Sequence, residues 1–278
     1  VTGWGSTSLD RELVEKNSQL KYVCHCGGSV QQIIPKELIS VGLLVTNWGT
    51  FPSTMVAEAA LAGMFACLRK TVEISDIMHR QKGWMRLLES KTETLFNQRV
   101  GIAGFGASGQ ALARLLQPFQ CDVSSYSPYE TDDVFLSLNV RRVHSIRQLF
   151  RTNKIISVHL SLTTANYHLI NDEILAELED GGILVNTARG KIIDENALIR
   201  ELVSGRIHAS LDVFENEPLP ADSKLRGLPN VNLTPHQASP TADKRREIGN
   251  IALENIKRYF SGQELLNLID ENIYDFIT

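Results

Sequence analysis

The chain has 278 residues, enough for one large domain or two of ordinary size with a real core. Its 28 Lys and Arg stand against 32 Asp and Glu, a formal charge of −4, so no overall basic field exists to hold a nucleic-acid backbone or an anionic membrane. Hydrophobic residues at 43% and charged residues at 22% exclude disordered and low-complexity chains, and no apolar run approaches the roughly 20 residues of a membrane span.

The start, Val1-Thr2-Gly3-Trp4-Gly5, shows neither an initiator Met nor the regions of a signal peptide and reads as a strand already in progress. From there, short Val, Ile and Leu-rich runs alternate with amphipathic stretches, the pattern of a parallel sheet covered by helices. Strands are predicted at Tyr22–Cys26, Leu43–Thr46, Arg99–Gly104, Asp122–Tyr126, Lys154–Leu160, Gly182–Thr187, Ile207–Val213 and Val231–Thr234. Helices are predicted at Ser53–Ile77, Ser108–Leu116, Asp172–Leu178, Glu195–Ser204 and Thr241–Phe260. The run from Ser53 is apolar on most faces, which predicts burial between domains or subunits. The stretch after it, with Trp84, Met85, Leu87 and Leu88, lacks clean periodicity and reads as an arm for another subunit.

Cys24, Cys26, Cys67 and Cys121 are too few and scattered for a disulfide scaffold, which fits a reducing, cytoplasmic setting. Cys24-His25-Cys26 has no second Cys/His pair at finger-like spacing, so no metal site is expected; alternation places the two thiols on one face of a strand.

The sharpest local signal is Gly104-Phe105-Gly106-Ala107-Ser108-Gly109, a G-x-G-x-x-G pattern leaving a strand and opening a helix. Gly104 permits the tight turn, Gly106 lets phosphates approach, and Gly109 lets the helix lie close to the sheet, so a dinucleotide pyrophosphate is expected at the helix N-terminus, against Ala107 and Ser108. The next strand should end in a carboxylate for the adenosine ribose. It ends instead at Ser127, 18 residues after Gly109. Serine does not repel a 2′-phosphate, and Ser127-Pro128-Tyr129-Glu130 holds no Arg or Lys to attract one. NAD and NADP both stay open, with NAD preferred.

Three later runs each follow a predicted strand, where open α/β sheets bind ligands: Asn186-Thr187-Ala188-Arg189-Gly190, Asp212-Val213-Phe214-Glu215-Asn216-Glu217-Pro218, and Thr234-Pro235-His236. Arg189, Glu217 and His236 are therefore expected to converge on one crevice. With the glycine turn and His159-Leu160-Ser161-Leu162-Thr163, these motifs, from about Leu20 to about Phe260, resemble the D-isomer-specific 2-hydroxyacid dehydrogenases.

The resemblance implies an α/β fold of two doubly wound parallel-sheet domains, a Rossmann cofactor domain (52–236) inserted in a flavodoxin-like substrate domain (1–51 and 237–278) whose first elements are missing. It implies hydride transfer between NAD, or NADP, and a small D-2-hydroxy or 2-keto acid, in a homodimer. Arg189 would grip the substrate carboxylate, His236 would carry the proton, and Glu217 would pair with His236, favouring its imidazolium form. Asp212 would lie near the nicotinamide carboxamide; Leu160, Thr187 and Ala188 would line the cofactor cleft; backbone N–H groups at Gly27 and Gly28 would help hold the substrate carboxylate. His159 is expected to point into the cofactor domain without chemistry, and His79, His144, His168 and His208 to pack or face solvent.

Ser127 departs from the family's usual acid, Gln237-Ala238-Ser239 from a small apolar residue and a glycine, and Ser161 from a common proline. Formate dehydrogenases of this fold carry glutamine where Glu217 stands, which argues against formate. The rival is a nicotinamide-sensing binding protein resembling the fold's transcriptional corepressors, and the chain shows no peptide-binding extension to favour it. Substrate side-chain choice is expected in loops such as that of Trp48 and Phe51.

Overall fold

The computed structural model describes residues 1–3, 5–17, 19–86 and 89–277. Trp4 of the opening segment and Leu87 and Leu88 of the predicted arm lie outside the described residues. The chain divides into two compact units, Val1–Pro52 with Pro240–Thr278, and Ser53–Ser239.

The smaller unit begins with α1 (Arg11–Lys16), β1 (Tyr22–Cys24), α2 (Lys36–Ser40) and β2 (Leu44–Thr46). β1 and β2 pair in parallel, and Thr2 bridges to His25 just past β1, so the predicted strand through Cys26 stops two residues early. Val23, Val30, Ile34, Leu38 and Val45 form its core with Ile269 and Tyr274 from the chain's other end.

The larger unit opens with α3 (Ser53–Leu68) and α4 (Thr71–His79). The single helix predicted there breaks at Lys70, whose φ of +50° ends α3 in a left-handed turn. Ala57, Ala60 and Met64 of α3 are fully buried, against the unit's own sheet and α5 (Ala107–Leu116). The apolar face predicted for an interface between domains or subunits is thus spent within one unit.

The sheet of this unit has seven parallel strands: β3 (Arg99–Ala103), β4 (Asp122–Tyr126), β5 (Arg141–Arg142), β6 (Ile155–Val158), β7 (Ile183–Asn186), β8 (His208–Leu211) and β9 (Val231–Leu233). Their order, β5-β4-β3-β6-β7-β8-β9, reverses direction between β3 and β6, the switch point where ligands bind in such sheets. β6 and β7 are buried at every position, as central strands covered on both faces must be. The helices α6 (Asp132–Ser137), α7 (Ile146–Thr152), α8 (Asp172–Leu175) and α9 (Glu195–Val203) complete the layers.

The chain then returns to the smaller unit with α10 (Arg245–Phe260), preceded by a 3₁₀ turn over Ala242–Lys244 where helix was predicted from Thr241. The division falls after Ser239 rather than after His236. Gln237 and Ala238 stay with the larger unit because their N–H groups are bound by Asp212 on the loop after β8. No helix among the described residues is long and apolar enough to cross a membrane.

Candidate active site

The glycine turn sits between β3 and α5 at the switch point. Gly104 has φ +97°, and a Cβ there would lie 2.6 Å from the His159 carbonyl; one on Gly109 would lie 2.3 Å from the Gly104 oxygen. Both glycines are demanded by backbone approaching backbone. Gly106 is different: its Cβ would meet nothing within 4 Å, so its missing side chain leaves open space at the mouth of α5.

No side chain caps that helix, whose first residues are Ala107 and Ser108, so its leading N–H groups and positive dipole end are presented there. Across the switch point, Thr187 Oγ1 just past β7 is buried without a hydrogen-bond partner among the described residues. An anionic dinucleotide fits this set: a cradle shaped by a missing Cβ, an uncapped helix start and an orphaned hydroxyl. Leu160 and Ala188, past the ends of β6 and β7, are nearly buried in the unit's core.

Arg189 is carried by the loop after β7, where Asn186 shapes the turn: its Oδ1 accepts from Ala188 N–H at 3.0 Å and its Nδ2 donates to the Arg189 carbonyl at 3.0 Å. The next residue, Gly190, lies so close to the loop after β8 that a Cβ would fall 1.9 Å from the Phe214 carbonyl carbon. That contact brings the arginine loop onto the segment carrying Glu217. Burial pulls the Arg189 pKa below its ordinary value, opposed by the charge of Glu217, and the guanidinium stays protonated.

Glu217 Oε1 accepts from Phe214 N–H at 2.9 Å, and Oε2 lies 2.7 Å from His236 Nδ1. Burial would raise this carboxyl's pKa, but the bond to His236, the Phe214 N–H and the charge of Arg189 outweigh it and hold the group ionised, below its usual range.

His236 has φ +53°, a left-handed conformation that strains an ordinary residue. Its N–H donates to the Asp212 carbonyl at 2.8 Å. The Asp212 side chain, itself buried, accepts from Thr234 Oγ1 at 2.6 Å, Gln237 N–H at 2.8 Å and Ala238 N–H at 2.8 Å. Expected near the nicotinamide, Asp212 in this structure spends its carboxylate on the loop that presents His236. Neither this role nor that of Asn186 is legible in the motifs, because each depends on which backbone groups come within reach.

Ser127 is buried just past β4, and its carbonyl lies 3.5 Å from Nη2 of Arg142. Gly27 and Gly28 belong to the smaller unit, where Gly28 O accepts from Asn47 Nδ2 at 2.8 Å and the His25 ring fills the space a Gly27 Cβ would need. His159 is half-buried, with its pKa pulled to about 4 by desolvation and Nε2 2.8 Å from Ser157 Oγ. His168, Asp194 and Glu215 gather ligand-type atoms within 4.8 Å of one another. They are already engaged: His168 Nε2 pairs with Glu215 at 2.6 Å, Glu215 accepts from Glu195 N–H, and Asp194 caps α9.

Residues 61–238 match the family model described as the NAD-binding domain of D-isomer-specific 2-hydroxyacid dehydrogenases. The chain belongs to that family. The larger unit is its NAD-binding domain, in an α/β fold.

Among curated relatives of this chain, a hydroxypyruvate reductase of Thermotoga maritima is 35% identical over 257 residues, which cover 90% of this chain and 81% of the relative. A D-3-phosphoglycerate dehydrogenase of Methanocaldococcus jannaschii is 33% identical over 265 residues, 95% of this chain, which spans half of that longer relative. Among solved structures, an acyclic imino acid reductase in complex with NADPH and D-Arg superposes with a TM-score of 0.83 at 28% identity, over 96% of this chain and 83% of that one. These relatives favour an oxidoreductase over the corepressor-like alternative.

Proposed function

We propose that the protein is an NAD(P)-dependent reductase of a small 2-keto acid, operating reversibly on the corresponding D-2-hydroxy acid. The observation that carries this is the His236–Glu217 pair, 2.7 Å apart, on loops that also hold Arg189 close enough for its charge to act on Glu217.

In this reading the larger unit binds the dinucleotide, through Gly104, Gly106, Ala107, Ser108 and Gly109 at the pyrophosphate, Ser127 at the adenosine ribose, and Leu160, Thr187 and Ala188 along the cleft. The bound nicotinamide supplies or receives the hydride. Arg189 pairs its planar fork with the substrate carboxylate and polarises the neighbouring carbonyl. Glu217, ionised on Nδ1 of His236, fixes the ring, so that Nε2 delivers a proton to the substrate oxygen in reduction and removes one in oxidation. Asp212 is a positioning residue for that loop.

Relatives named for hydroxypyruvate, glyoxylate and hydroxyphenylpyruvate support the 2-keto acid class. The test is a panel of glyoxylate, hydroxypyruvate, pyruvate and phenylpyruvate followed by cofactor absorbance. One or more should turn over, and His236→Ala should lose at least about 100-fold in kcat while still binding cofactor. Turnover of none, or near-normal turnover in the variant, would sink the reading.

We infer further a cytoplasmic homodimer. Its four cysteines are free thiols, and Trp84 on the segment after α4 is 79% exposed, an apolar surface suited to a second copy. A monomer in equilibrium sedimentation at micromolar concentration would contradict the dimer.

A further inference from the structure

The choice between phosphorylated and unphosphorylated dinucleotide is made beside the adenosine ribose, provided that the glycine turn holds the pyrophosphate as proposed. β4 ends at Tyr126, whose carbonyl accepts from Gly104 N–H at 2.8 Å, so Ser127 stands next to the turn. A carboxylate here would bind the ribose hydroxyls and also repel a 2′-phosphate; Ser127, uncharged, does not repel one.

The residues following Ser127 in sequence bring no cation, but the fold brings one from elsewhere. β5 lies on the side of β4 away from β3, in parallel register with Ser125 opposite Arg142. Parallel pairing sends both strands to the same carboxyl edge, and the Arg142 guanidinium reaches the end of β4, with Nη2 3.5 Å from the Ser127 carbonyl and Nη1 2.6 Å from Asp132 Oδ1. Its Cζ lies 5.2 Å from the ring centre of Phe135. That ring is itself buried and stacked at 4.7 Å on Phe105, the residue between Gly104 and Gly106. An arginine is therefore tied through two stacked aromatic rings to the phosphate-binding turn, at the one strand end where the discriminating acid is missing.

We propose that Arg142 is the specificity-determining residue that receives the 2′-phosphate of NADP(H), with Asp132 holding its guanidinium until the phosphate arrives, so that the protein binds NADPH as well as NADH. The Asp132 side chain is 76% exposed, and an exposed ion pair exchanges readily for a phosphate monoester, which carries nearly two charges and three acceptor oxygens. Glu130 and Asp133 on the same segment oppose the phosphate, which keeps NADH competitive. Arg141, one residue earlier, takes the opposite face of the strand and lies 3.7 Å from Asp122, so it serves as a charge control.

The test titrates the full chain with NADPH and NADH by cofactor fluorescence, and with 2′,5′-ADP as a competitor that needs no turnover. Arg142→Gln should lower the NADPH to NADH affinity ratio at least about tenfold, the size of one charged hydrogen bond, and weaken 2′,5′-ADP in parallel. Asp132→Asn should raise the ratio by freeing the guanidinium, and Arg141→Gln should leave it within about twofold. A ratio unmoved by both Arg142→Gln and Asp132→Asn, or an equal loss of both cofactors in Arg142→Gln, overturns the assignment. Wild-type protein that binds NADH but not NADPH overturns it and spares the glycine-turn reading; protein that binds neither overturns both.

Discussion

Two glycines show how much a single absent Cβ can mean, and that the meaning differs by place. At Gly190 a Cβ would fall on the Phe214 backbone at 1.9 Å, where nothing can move aside without parting the loops that carry Arg189 and Glu217. Gly190→Ala is expected to cost about 3 kcal/mol or more, read as a lowered urea midpoint, with loss of the proposed reductase activity. At Gly106 a Cβ meets nothing within 4 Å, so Gly106→Ala should keep the wild-type urea midpoint while weakening dinucleotide binding by occupying the cradle. Wild-type stability in the first variant, or wild-type cofactor affinity in the second, would contradict these accounts. The G-x-G-x-x-G pattern marks Gly104, Gly106 and Gly109 from sequence alone, whereas the need at Gly190 arises from a loop 24 residues further on and has no local signature.

At the scale of elements, the central strands are legible in sequence because burial on both faces forces continuous runs such as Ile155–Val158 and Ile183–Asn186. β5 is not: Arg141–Arg142 is a two-residue edge strand, and paired arginines carry no hydrophobic pattern. Without that strand the cation at the end of β4 stays hidden, and the adenosine end reads as lacking any attraction for phosphate. The break at Lys70 is equally silent. α3 is apolar because it lies in the larger unit's core, while α4 beyond the break has no buried residue, a change of environment that a continuous helical pattern conceals. α6 and α7 leave little trace as well, being one or two turns long and weakly periodic.

At the scale of the whole molecule, the hydrophobic clusters among the described residues are these: two have their buried members between residues 57 and 231, and a third joins residues 23–45 to residues 269–274. The segment 53–239, with its own cores and the complete seven-stranded sheet, is therefore expected to fold by itself, melt cooperatively and bind NADH within about tenfold of the full chain. A non-cooperative melt of that fragment would show that its cores depend on the rest of the chain.

By itself the sequence determined what is written in contiguous residues: the alternation of strand and helix, the glycine turn, and the short runs that place Arg189, Glu217 and His236 just past strand ends. These survive in sequence because their backbone chemistry is local, spanning a few residues each. Only the tertiary structure decided which neighbours those residues meet. Asp212 is tied to Gln237 and Ala238, Gly190 lies on Phe214, and Arg142 reaches Ser127, because strand order and register, which no local propensity encodes, put their backbones within hydrogen-bonding or van der Waals distance.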